Sequence, residues 1–215
     1  MRKNQGISEM DMIEIVKAAI NNVPSDYYVV QNPEERNGHE TSYSKYFTQA
    51  EMSFVARFYH EMMKIFESKS ELKDYIDHYK MDIELYKQII HSGNSKDLLY
   101  DETRKKYINE DKSKGVYPDF VFHKGQKFNK KEDQLLIIEF KAEQIMKEKF
   151  EYDLFKTNLY IKEMNFQHGA YVIVNNGNEL VQKLFKEYKK SNYHDADKCK
   201  VICKQDCNSS ILVLE

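Results

Sequence analysis

The sequence predicts a mixed α/β fold, with helices covering a central sheet. Three observations lead there. The chain up to about Ile90 places its apolar residues at helical spacing. Beyond Tyr117, short apolar runs of strand length alternate with further helical patterns. The resulting order is helices, two neighbouring strands, helix, strand, helix and two short strands, which suits a layered sandwich better than a bundle or a barrel. At 215 residues the chain can bury one proper core, and no linker, repeat or low-complexity tract divides it.

Each element has its own signal. Met12, Ile15, Val16, Ala19, Ile20 and Val23 recur at helical spacing behind Ser8, an N-cap residue, and Pro24 ends that segment. The polar stretch from Gln31 to Ser44, with Asn37-Gly38 inside it, reads as a loop. Thr48 opens a second helix, with Glu51 completing a capping box and Phe54, Phe58, Met62 and Ile65 forming the buried stripe. A third helix is expected from about Glu71 to Ile90, with Leu72, Tyr75, Ile76, Tyr79, Ile83, Tyr86 and Ile90 on one face and Gly93 as its stop. Tyr117 to His123 and Leu135 to Lys141 are strand candidates joined by the polar stretch Lys124 to Gln134. Helical spacing returns from about Ile145 to Met164. Ala170 to Val174 then reads as a strand and Asn178 to Tyr188 as a helix, before short strands at Lys200 to Cys203 and Ile211 to Leu214.

Composition narrows the function classes. Hydrophobic residues at 41% and charged residues at 32% indicate a globular chain rather than a disordered one. A net charge of −2 excludes a protein that coats DNA through charge alone, because counterion release demands a strongly basic surface. It leaves room for an enzyme that meets nucleic acid through one cleft. Cys199, Cys203 and Cys207 are an odd set at spacings that fit no usual zinc pattern, even with His194 nearby. That usage points to a reducing cytoplasm. No apolar run approaches the roughly 20 residues of a membrane span, and no targeting segment is evident. The expected location is cytoplasmic, with no membrane partner.

The chemistry concentrates in the two neighbouring strands. If they form an antiparallel hairpin with its loop centred near Asn129, Asp119 lies opposite Glu139. Alternation along the strand puts Lys141 on the face of Glu139, while a one-residue slip would separate the acids. Two carboxylates about 5 Å apart repel each other, and one lysine does not neutralise both. A divalent cation resolves the conflict, since hard oxygen ligands at about 2.1 Å suit magnesium. The bland alternative is a solvent-facing charged pair at a strand end. The four apolar residues preceding Glu139 argue against it, because they require a strand buried on both faces. His123 falls on the expected face of Asp119, whereas His91 and His168 complete no ligand set. No Ser-His-Asp arrangement, Gly-rich phosphate loop or dinucleotide fingerprint is present.

Pro118-Asp119 followed by Glu139-Phe140-Lys141 at the end of an apolar strand resembles the PD-(D/E)xK, or restriction endonuclease-like, nuclease superfamily. The resemblance implies an αβββαβ core over residues 96–215. Its first strand would lie around Leu98 to Tyr107, and residues 1–95 would be a helical extension packed on the core to make one compact domain. It further implies Mg2+, with Mn2+ able to substitute, held by Asp119, Glu139 and the Phe140 carbonyl. Glu102 would supplement the metal site, and Lys141 would assist the attacking water. Lys156, in Asp153-Leu-Phe-Lys156, would face the scissile phosphate. Glu61 is another candidate acid, although Arg57 is placed to pair with it along the helix. The expected activity is a metal-dependent endonuclease acting on DNA rather than RNA, with a homodimer allowed. The alternative is a catalytically silent nuclease-fold protein that binds nucleic acid or a protein partner.

Overall fold

Leu135 to Ile138 are four apolar residues in a row, so a strand built from them must be covered on both sides. The computed structural model, which describes residues 9–28, 43–83, 118–124, 130–142, 144–191 and 199–215, provides that cover. Strand β3 (Gln134–Lys141) is buried at every position, as is β4 (His168–Val174). They are central strands of a sheet completed by β1 (Lys80–Ile83), β2 (Phe120–His123), β5 (Cys199–Lys204) and β6 (Leu212–Leu214). Spatial order follows chain order from β1 to β6. The β1–β2, β2–β3 and β5–β6 pairs are antiparallel, while β3–β4 and β4–β5 are parallel. Parallel neighbours need crossovers. Here α4 (Lys147–Glu163) and α5 (Asn178–Tyr188) supply them.

The alternation of side chains divides the core in two. Phe120, Phe122, Leu136, Ile138 and Phe140 join the buried stripes of α1 (Glu9–Asn22) and α2 (Tyr43–Ser68) in one cluster. Val121, Ile137, Tyr171 and Ile173 join α4 and α5 in the other. The architecture is therefore helix, mixed sheet, helix. Aromatic contacts fix α2 on its face. The Phe58 ring lies 5.4 Å from that of Phe120 and 4.9 Å from that of Phe140, and Phe66 lies 5.0 Å from Phe122. Burying each such ring stabilises the fold by roughly 1.5–3 kcal/mol.

On the opposite face α4 approaches closely at Gly169. A Cβ at that position would lie 2.2 Å from Ile161 Cδ1, so the glycine is what lets α4 sit against β4. Two asparagines then tie the loop between β3 and α4. Asn175, in the left-handed region at φ 61°, donates from Nδ2 to the Ala142 carbonyl at 3.2 Å. The Ile145 N–H donates to Asn176 Oδ1 at 3.0 Å.

Most sequence-derived elements recur with shifts of a few residues, but two do not. Helix α2 starts at Tyr43, so Tyr43 and Ser44 are helical and Thr48 and Glu51 lie inside the helix instead of forming a cap. The third helix is shorter than expected: α3 (Ser70–His78) stops where Tyr79 turns extended. Lys80–Ile83 then pairs with β2, as Met81 opposite Phe122. Tyr79, Met81 and Ile83 satisfy a period of two as well as they satisfy a helix, and pairing with β2 decides between them. The strand expected at Leu98 to Tyr107 lies outside the described residues, as does Glu102. The three cysteines are free, with Cys199 and Cys203 buried on β5, while His194 is outside the described residues. No helix among the described residues is long and apolar enough to cross a membrane.

Candidate active site

Partner positions across β2 and β3 are Phe120 with Ile138, Val121 with Ile137 and Phe122 with Leu136. Extended by one residue, this register sets Asp119 beside Glu139. The register slips only at the far end, where a bulge at Phe122/His123 brings His123 opposite Gln134. The Phe140 N–H donates to Asp119 Oδ2 at 2.6 Å, a short charge-assisted bond that pins the acid to the end of β3. The Phe140 ring points to the other face, between Phe54 and Phe58.

Glu139 is 5% exposed and faces α4. Its Oε1 receives the Lys156 ammonium, while its Oε2 is buried without a hydrogen-bond partner among the described residues. One helical turn from Lys156, Asp153 is also buried. Its Oδ2 accepts from the Tyr171 hydroxyl at 3.2 Å, and its Oδ1 lies 3.2 Å from Lys149 and 3.9 Å from Lys156. Tyr160 on the same helix is fully buried, and its hydroxyl has no partner. At the edge of this cluster Lys141 Nζ lies 3.3 Å from Glu51 Oε2, which also accepts the Ala142 N–H at 3.0 Å.

Crowded acids in a dry space resist ionisation. Burial pushes the Asp119 pKa up to about 7, with Glu51 and Asp153 adding to the rise and Lys156 and the Phe140 N–H opposing it. Glu139 is held well above the carboxylate range by burial first and by Asp119 next, against the pull of Lys156. Burial works against the Lys156 charge, but Glu139, Asp153 and Asp119 together outweigh it and keep the ammonium protonated. The Tyr160 and Tyr171 hydroxyls are raised by burial and by the same acids, so both remain neutral donors.

Of the residues singled out in the sequence, Asp119, Glu139 and Lys156 come together. Lys141 shares the strand face but pairs, among the described residues, with Glu51 rather than Glu139. Glu61 is buried between Arg57 at 2.6 Å and Lys64 at 3.1 Å, which leaves it a structural ion pair on α2. His123 bonds to Asp82 at 2.8 Å at the opposite end of β2 and takes no part. Sequence reasoning missed Glu51, Tyr160 and Tyr171, and it gave Asp153 no role of its own. Glu51 was absorbed by an apparent capping box, and the others assemble only through packing of α4 on β4.

Among the described residues no group of three or more His, Cys, Asp or Glu side chains is set to hold a metal ion by itself. The donors nevertheless fit magnesium, which typically takes one or two carboxylates and fills its shell with water and substrate oxygens. Asp119 and the unpartnered Glu139 Oε2 are such a pair. Comparisons of the chain with family models, with curated proteins and with solved structures found no match.

Proposed function

We propose that this chain is a metal-dependent nuclease of the PD-(D/E)xK type, hydrolysing phosphodiester bonds in DNA rather than RNA. The observation that carries the reading is the pairing of half-buried Asp119, just before β2, with buried Glu139 near the end of β3, with Lys156 bonded to Glu139 Oε1 and the other Glu139 oxygen unspent. The element order adds support: helices, three strands in antiparallel succession, a crossover helix and a parallel strand follow the αβββαβ order expected of that superfamily, although the first of these strands is β1, inside the stretch expected to be a helical extension, and not the strand expected at Leu98 to Tyr107. Asp119, Glu139 and the Phe140 carbonyl would hold Mg2+ or Mn2+. When bound, the ion supplies Lewis acidity at a phosphate oxygen and a lowered pKa for an attacking water.

The chain's own residues do the rest. The Phe140 N–H orients Asp119, and α4 shields Glu139 from bulk solvent, which strengthens every charge interaction there. Lys141, paired with Glu51 beside this cluster, would stabilise negative charge arriving with a phosphate. Lys156 supplies positive charge on the opposite side. A homodimer would give two such sites for the two strands of a duplex.

The Lys156–Glu139 ion pair favours one alternative: a site neutralised from within, in a nuclease-like protein that binds nucleic acid or a partner without cutting. One assay separates the readings. Purified protein with Mg2+ or Mn2+ is incubated with duplex DNA, single-stranded DNA and RNA, beside Asp119→Asn and Glu139→Gln. Cleavage that needs metal and is lost in both variants supports the nuclease. Binding without cleavage by the wild type supports the silent protein.

A further inference from the structure

We infer that Lys156 is an internal counter-cation that competes with the divalent metal for Glu139, and that metal loading transfers its ammonium from Glu139 to Asp153. This inference rests on the metal reading above and adds a step to it. Lys156 has one donor group on Glu139 Oε1, the acid that would ligate the metal, and its side chain is only 11% exposed. An ammonium on one oxygen of a buried carboxylate weakens the hold of the other oxygen on a divalent cation, because in a low-dielectric space the two cations repel. Loading therefore favours departure of the lysine.

The structure offers one place for it to go. Asp153 Oδ1 lies 3.9 Å from Lys156 Nζ on the adjoining turn, so small rotations at the end of the side chain complete the transfer. Asp153 itself is fixed, since Tyr171 donates to its other oxygen. Its present partner Lys149 is 43% exposed and can release it to solvent at little cost. The Tyr152 ring, 5.6 Å from Lys156 Nζ, flanks the ammonium. Glu139 Oε2 and the Tyr160 hydroxyl, both buried and unpartnered, show that the enclosed space has polar capacity beyond the lysine. Asp153 is a positioning residue in this scheme: it receives the displaced cation and does not touch substrate. The arrangement keeps the acids tolerable without metal and sets metal affinity below what the carboxylates alone would give.

The test is Mn2+ binding to the full chain by calorimetry near neutral pH, with circular dichroism to verify folding. Lys156→Met should bind Mn2+ more tightly than wild type, on the order of tenfold, because no ammonium has to be displaced. Asp153→Asn should bind several-fold more weakly, because the displaced lysine loses its destination. Glu139→Gln and Asp119→Asn should lose most binding. If Lys156→Met does not fold, Lys156→Gln, polar and of similar reach, carries the same expectation. Lysine variants that bind like wild type or more weakly, while Glu139→Gln still abolishes binding, overturn the transfer and leave the metal reading intact. Binding indifferent to Glu139 and Asp119 overturns the metal reading and this inference with it.

Discussion

Replacing Asp119 by asparagine tests the electrostatics of the site without any substrate. The amide keeps an oxygen for the Phe140 N–H and removes a charge that burial disfavours. The sign follows from the direction of the shift. A carboxyl whose pKa is raised on folding contributes stability that is complete below its unfolded value and is lost as pH rises through its folded value. For Asp119 the window runs from 3.8 to about 7. A rise of that size corresponds to at most about 4 kcal/mol, and some solvent contact at Asp119 reduces it, so about 2 kcal/mol is a working figure. In EDTA, wild type and Asp119→Asn should have similar stability near the bottom of the window. Above its top the variant should be the more stable, by about 4–8 °C in Tm for a chain of this size. Urea unfolding and thermal melting across the window provide the curves. A constant offset at every pH, or a variant less stable than wild type above the window, would refute the assignment of a costly buried charge to Asp119.

Two further predictions concern how the scaffold holds the site. Gly169→Ala puts a methyl 2.2 Å from Ile161 Cδ1 and 2.6 Å from its Cγ1. It should cost about 1–3 kcal/mol in urea unfolding, and adding Ile161→Ala should recover part of the loss by opening space. Asn175→Ala loses the bond to the Ala142 carbonyl and strains a left-handed residue, whereas Asn175→Gly loses only the bond. Alanine should therefore be the more destabilising, by about 1 kcal/mol in the same measurement, and equal losses would show that the bond alone matters.

The antiparallel hairpin was legible because its two strands are punctuated clearly. An apolar quartet fixes β3, and a hairpin centre near Asn129, read from the sequence, implies the pairing of Phe120 with Ile138 that the sheet has. Helix α1 was equally legible, since Pro24 closes a simple stripe. The errors fell where two local patterns coexist. Thr48 and Glu51 have capping-box spacing, yet α2 starts at Tyr43 and runs through them. The apolar residues from Leu72 to Ile83 fit one helix, but pairing with β2 rewards an extended backbone after His78. Local sequence cannot weigh a pairing partner some forty residues away, which is the separation of Asp82 and His123.

The same distinction separates the legible part of the site from the rest. Asp119 and Glu139 were visible because an acid at the end of a strand buried on both faces is costly and asks for a partner. Which lysine answers could not be read, since Lys141 and Lys156 are both within reach of a carboxylate on paper. The structure gives Lys156 to Glu139 and Lys141 to Glu51. Lys149 takes Asp153, so each of three acids has a nearby cation, while Asp119 has no ion pair among the described residues. Burial, only partly offset by Lys156 and the Phe140 N–H, is what pushes the Asp119 pKa up to about 7. On the proposed metal reading, the amide that relieves Asp119 in EDTA should lose the stabilisation that metal would give the wild type. Both effects would have one cause, the costly charge at Asp119, so a variant that gained stability without metal and still gained fully from Mn2+ would break the link between them.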